Sequence, residues 1–228
     1  MLDNDHVIHL TTQFVKTELS NAESGHDWLH IERVLTNASK ILETEPSANY
    51  LTVTIGTLLH DIADPKFHNN DENIGVYKTT HFLQEIDLED KVVNEIVNIV
   101  RNVSYGGGKQ VTDPSLELQI VQDADRLDAI GAIGIARCFN YGGFKNRTIY
   151  DQYALPKMDL TPETYRKHKA PSLNHFFEKL LRLKNGMHTK KGREMALQRH
   201  QFLITYLEQF FEEVDAPSEF NQLLKQYQ

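Results

Sequence analysis

The chain has 228 residues, 40% of them hydrophobic and 25% charged, which is ordinary for a globular protein with a sizeable core. No run approaches the roughly 18 apolar residues of a membrane span, the opening MLDNDHVIHL lacks the basic start of a signal peptide, and the single cysteine, Cys138, excludes an intramolecular disulfide, so a cytoplasmic location is expected. The net charge of −8 argues against a grip on long nucleic acid, which calls for a basic surface.

Helical periodicity dominates and strict alternation is absent. Residues 3–20 predict a first helix, with Val7, Leu10, Phe14 and Leu19 along one stripe. Ser24-Gly-His-Asp27 reads as a capping box, with Asp27 in place of the usual Glu at the third position. The helix it opens should run to about Glu45, ahead of Pro46. Leu51, Ile55, Leu58, Leu59 and Ile62 mark a buried helix that Pro65 ends near Ala63. Weaker patterns cover 70–85 and 88–103. After Gly106-Gly107-Gly108, Pro114 precedes a helix expected from about Ser115 to Asn140. Its small residues Ala129, Gly131, Ala132, Gly134 and Ala136 would allow close packing. Glycine costs about 1 kcal/mol inside a helix, so Gly131 and Gly134 call for a packing or ligand reason.

Residues 141–172 lack periodicity and contain Gly142, Gly143, Pro156, Pro162 and Pro171; a loop of that length is commonly functional. Helices are expected at about 173–185 and 189–213, with a short one after Pro217. The expected architecture is a single all-α domain over 1–228, with a core at about 24–135 and a C-terminal helical part at about 141–228 completing the pocket. Residues 141–200 hold thirteen Lys+Arg and five Asp+Glu, a local +8, against −16 for the remainder. A basic stretch on an acidic body suits a small anionic ligand, although a solvated helical face gives the same composition.

Three segments carry chemistry: His26-Asp27-Trp28-Leu-His30-Ile-Glu-Arg33-Val34, Leu58-Leu59-His60-Asp61-Ile-Ala-Asp64 and Gln122-Asp123-Ala-Asp125-Arg126-Leu-Asp128-Ala. Imidazoles and carboxylates are the expected ligands of divalent ions. No single helix can surround an ion, so the ligands must come from several facing helices. His60 and Asp61 project about 100° apart around one helix, so both can address one ion.

The order His-x-x-Arg-Val, apolar-apolar-His-Asp and Ala-Asp-x-x-Asp-Ala resembles the HD superfamily of metal-dependent phosphohydrolases, over roughly residues 24–135. The extended motifs GHDWxHxxRV and QDADRLDAxGAxGxAR are similar to those of small bacterial HD proteins that cleave nucleoside triphosphates to monophosphate and pyrophosphate. The resemblance implies an HD-type helical bundle with additional C-terminal helices. It also implies a metal site made by His30, His60, Asp61 and Asp125, with Asp123 as the rival for the last position. Mn²⁺ is the expected ion, with Mg²⁺, Co²⁺ or Ni²⁺ as alternatives.

Other roles stay open between two readings. His26 faces the site or merely sits at a helix start. Asp27 is a cap or an acceptor behind the ligands. Arg33 pairs with a ligand carboxylate or lies on the surface. Where the common HD-phosphodiesterase variant has a lysine, this chain has Asp64, a candidate to steer the attacking water or take its proton; Lys66 is a candidate to supply the missing cation. A second metal would need His68 or His81. Arg126 and Arg137 bind phosphate or pair with carboxylates. His175 and Lys179, one turn apart at the start of a helix, could share an anion. The base of a nucleotide could sit on Tyr141 or Tyr153, and Trp28, Phe176 and Phe177 read as core.

The expected partner is therefore a nucleotide, with no long nucleic acid and no membrane; a homodimer is one option for assembly. The alternatives are a phosphomonoesterase or phosphodiesterase acting on another small nucleotide, a di-iron oxygenase, and a non-catalytic nucleotide-sensing module.

Overall fold

The computed structural model describes residues 3–20, 27–62, 73–103, 111–159, 161, 164 and 168–228. Ten α-helices and one 3-10 helix make up the regular structure of these residues, which contain no strand. In chain order they are α1 (Asn4–Glu18), α2 (Trp28–Leu42), α3 (Tyr50–Leu59), α4 (Asn73–Glu85), α5 (Asp90–Asn102), α6 (Leu116–Asp128), α7 (Gly131–Phe144), α8 (Asn174–Glu178), the 3-10 helix Leu180–Gly186, α9 (Lys190–Glu213) and α10 (Ser218–Leu224). None is long and apolar enough to cross a membrane.

The chain divides into two compact units, Met1–Tyr105 with Lys109–Asp125, and Gly106–Gly108 with Arg126–Gln228. No linker stands out in the sequence, and the last division accordingly falls inside α6. In the first unit α3 packs against α1, α2 and α5. That central place explains why it is apolar nearly all round, with Val53, Ile55, Leu58 and Leu59 buried. Gly56 lets α5 come close: a Cβ there would lie 2.8 Å from Ile99 Cδ1. Val7, Val15, Ile31, Leu83 and Ile96 complete the core from the surrounding helices. Phe14 of α1 stacks on Phe82 of α4 at 4.2 Å between ring centroids.

The second unit is built around α9, which contacts α7, α10 and the 3-10 helix. Its core is aromatic. Phe176 stacks on Tyr206, Phe177 on Phe211, and Phe220 meets both Phe211 and Tyr150. Phe176 and Phe177 are thus core, as their apolar pairing suggests.

Three helices end on a non-glycine residue in the left-handed region: Asp87 after α4, Asn146 after α7 and Asp215 after α9. In each, two backbone N–H groups turn back onto the last turn's carbonyls, as from Arg147 to Gly142 and from Asn146 to Gly143. This is the Schellman closure, and Asn or Asp is the usual substitute for glycine there.

Two local expectations change. Asp27 is itself the N-cap of α2, its carboxylate accepting from the His30 N–H at 3.0 Å; Ser24 lies outside the described residues. The stretch expected as one helix from Ser115 to Asn140 is two helices. The chain turns at Ala129–Ile130, and Gly131 takes φ +75°. That conformation strains any residue with a Cβ, and an apolar face that continues on both sides conceals the break.

Candidate metal centre

Three helices of the first unit bring their polar residues to one point. Asp27 caps α2 and so fixes His30 as its third residue, with the imidazole 1% exposed. His60 stands at the C-cap of α3, buried, and Asp61 follows it. Asp125 projects from the last turn of α6. The His30 and His60 Nε2 atoms lie 3.3 Å apart. Asp125 Oδ1 is 3.6 Å from the first and 3.8 Å from the second. One ligand atom from each of His30, His60 and Asp125 falls within 4.8 Å of the others. Asp61 Oδ2 reaches to 3.9 Å from His30 Nε2. The carboxylate that meets the imidazoles on α6 is therefore that of Asp125, while Asp123 is fully buried.

The donor set fits a divalent ion. Ligand bonds of about 2.1 Å hold adjacent ligand atoms roughly 3.0–3.4 Å apart in octahedral to tetrahedral geometry, and the two imidazole nitrogens already stand at 3.3 Å. The orientation of His60 is settled from behind. Its Nδ1–H donates to the Thr57 carbonyl at 2.7 Å, because a carbonyl can only accept. That leaves Nε2 directed at the cluster, the usual arrangement behind a metal-binding histidine.

Electrostatics point the same way. Burial pulls the His60 pKa down, but the hydrogen bond and charge of Asp125, with Asp61 and the Thr57 carbonyl, outweigh it and raise the value from 6.5 to about 9. Burial pushes Asp125 up, but its hydrogen bond to His60 and the charges of His60 and His30 outweigh it and bring the value down from 3.8 to about 2. The cluster favours positive charge at its centre.

His26, Asp64, Lys66 and His68 lie outside the described residues. His81 is exposed on α4, 3.5 Å from Glu85, and is not part of the cluster. In the second unit, Arg126 donates through Nη1 to the Gly186 carbonyl, and Arg137 pairs with buried Asp128 at 2.7 Å. His175 and Lys179 are half-buried at either end of the single turn α8, joined by the bond from the Lys179 N–H to the His175 carbonyl. Asn174, which opens that turn, is buried and donates to the Ala154 carbonyl. The helix expected over 173–185 is therefore one α-turn followed by a 3-10 helix, too short to carry much dipole. Tyr141 is half-buried beneath Lys145 and Arg147, whose charges lie 5.5 and 5.7 Å from its ring, and Tyr153 is 87% exposed. Trp28 is half-buried, with the Lys16 ammonium 4.5 Å from its ring centroid.

Sequence reasoning missed two side chains that tie α6 to its neighbours. Asn37 of α2 donates to the Ala124 carbonyl, and Gln122 donates to the Asn102 carbonyl at the end of α5. A buried amide on an apolar helix face was the available signal for Asn37; which carbonyl it meets is a tertiary fact.

Residues 28–130 match the HD domain model. YpgQ of Bacillus subtilis (strain 168), described as uncharacterized, is 34% identical over 203 residues, which are 88% of this chain and 90% of that protein. A crystal structure of an HD-superfamily hydrolase from Bacillus thuringiensis is 39% identical with a TM-score of 0.73, covering 94% of this chain and all of that one. The crystal structure of B. subtilis YpgQ in complex with ADP is 30% identical with a TM-score of 0.70, covering 91% of this chain and 97% of that one.

Proposed function

Because the chain belongs to the HD superfamily of metal-dependent phosphohydrolases, we propose that it cleaves nucleoside or deoxynucleoside triphosphates to monophosphate and pyrophosphate, using a divalent ion held by His30, His60, Asp61 and Asp125. The observation that carries this reading is the meeting of two buried imidazoles and a half-buried carboxylate from three helices. The ADP in the related YpgQ structure supports a nucleotide as the ligand.

A divalent ion, when bound, acidifies water and screens phosphate charge. The protein supplies the rest. The Thr57 carbonyl holds the His60 ring in place, and the Asp27 cap holds the start of α2 beneath His30. The stated products require cleavage between the α- and β-phosphates. Water oxygen bonds to the α-phosphorus, the bridging bond breaks, pyrophosphate leaves with the electron pair, and Asp64 takes the water proton. His26, Lys66, Arg126, His175 and Lys179 are assigned to the polyphosphate on charge and hydrogen-bonding capacity. Mn²⁺ is the ion we favour, with Mg²⁺, Co²⁺ and Ni²⁺ as the alternatives for a set of imidazoles and carboxylates.

The test is a panel of nucleotides against these four ions, with products separated by chromatography. Pyrophosphate and a monophosphate are expected. Release of inorganic phosphate alone would move the chain to the phosphomonoesterases. His60→Ala and Asp61→Ala should abolish both metal uptake and hydrolysis, and normal turnover in either variant ends the assignment.

A further inference from the structure

Asn37 stands seven residues after His30 on α2, two turns along and on the same face. Its surroundings on the helix are apolar: Ile31, Val34, Ala38 and Ile41 are all buried. A carboxamide in such a stripe, itself only 3% exposed, costs stability unless it is hydrogen-bonded. Its Nδ2 donates at 3.1 Å to the carbonyl of Ala124, 87 residues away on α6. Ala124 directly precedes Asp125, whose Oδ1 lies 3.6 Å from His30 Nε2. One face of α2 thus carries an imidazole of the cluster and, two turns on, the group that grips the backbone beside the carboxylate. The acceptor is a main-chain oxygen, so the bond fixes the position of the α6 backbone itself.

We propose that Asn37 is a positioning residue of the metal centre, holding α6 in the register that brings Asp125 to His30 and His60. The inference rests on the reading of that cluster as a metal site. A leucine at 37 keeps the branched heavy-atom skeleton of asparagine, although it is bulkier, and lacks the hydrogen-bonding groups. Gln122 would still tie α6 to the end of α5, but the turn that carries Asp125 would lose its own tether and could shift by a fraction of an ångström, which matters little to an apolar contact and much to a ligand atom.

The test compares Asn37→Leu with Thr11→Val. The second variant removes another buried hydrogen bond of the same unit, from the Thr11 hydroxyl to the Val7 carbonyl, away from the cluster. Affinity is read with Mn²⁺ alone, from the free-ion resonance signal. The coordination sphere is read from the visible spectrum of the Co²⁺-loaded protein, and stability from thermal unfolding. Asn37→Leu should bind Mn²⁺ about 10- to 100-fold more weakly, the range typical of groups that support metal ligands, and shift the Co²⁺ bands; Thr11→Val should change neither. If Asn37→Leu does not fold, Asn37→Ser takes its place, since its hydroxyl leaves room for a bridging water, and a smaller loss in the same direction is expected. Wild-type affinity and spectrum in a folded position-37 variant overturn the proposal, as does an equal loss in Thr11→Val. A wild-type protein that takes up no divalent ion defeats the metal-site reading as well. Normal uptake in Asn37→Leu alongside none in His60→Ala defeats only the role of Asn37.

Discussion

Two imidazole nitrogens 3.3 Å apart cannot both present lone pairs to each other, so one of them carries a proton while no cation lies between. Against the pull of burial, the charges of Asp125 and Asp61 hold a proton on the imidazole pair, and they raise the pKa of His60 to about 9. Ion uptake must expel that proton. Calorimetry in buffers of different ionisation enthalpy should count about one proton released per Mn²⁺ at neutral pH. Apparent affinity should climb roughly tenfold per pH unit and level off near pH 9. The same pair stabilises the metal-free fold. For His60, raised from 6.5 to about 9, the contribution is complete below pH 6.5 and is lost as pH rises through 9. For Asp125, lowered from 3.8 to about 2, it is complete above pH 3.8 and is lost as pH falls through 2. The melting-temperature gap between wild type and Asp125→Asn, both metal-free, should therefore be widest between those limits and narrow toward pH 9. Cys138 gives a contrasting case: burial, only partly countered by Arg147, pushes its thiol up to about 12. Iodoacetamide at pH 8 should label it far more slowly than a free thiol. The residues that meet in this cluster could be named from the sequence because their types and order survive unfolding. The Thr57 carbonyl meets a ring only one helical turn on, whereas the Asn37 amide meets a carbonyl that only the folded chain brings near.

Helix content was readable from apolar periodicity nearly everywhere, and element ends moved by a few residues. The exceptions are 173–185, where one α-turn gives way to a 3-10 helix, and the α6–α7 corner. Gly131 supplies the left-handed turn, with the stem of Arg199 packed against it. Gly134 lets the first turn of α7 approach the end of α6, since an added Cβ would run into the Ala129 carbonyl. The sequence calls for a packing or ligand reason at both glycines, but periodicity cannot show where a helix bends. Gly134→Ala should destabilise the protein by about 2 kcal/mol or more, read by urea denaturation. Gly143→Ala, on the same helix with nothing within 4 Å of its added Cβ, should be neutral or stabilise by up to about 1 kcal/mol. A loss at one glycine and none at the other, on one helix, separates close approach from helix propensity.

Across the whole molecule, ligand linkage gives the broadest prediction. An ion that binds only the native state at 100 times its dissociation constant adds about 2.7 kcal/mol, which for a chain of this length raises the melting temperature by about 5–10 °C. His60→Ala should lose that shift while keeping its helical circular-dichroism spectrum. The all-α class was readable at this scale, and so was the charge asymmetry. No linker marks the division into two units. That division separates Asp125 from Arg126 within α6. Chains commonly gain, lose or exchange parts at exposed connections, where little is broken. Here a cut at the seam would sever a helix just after the carboxylate that meets the two imidazoles. A gene carrying either unit alone would encode an incomplete α6.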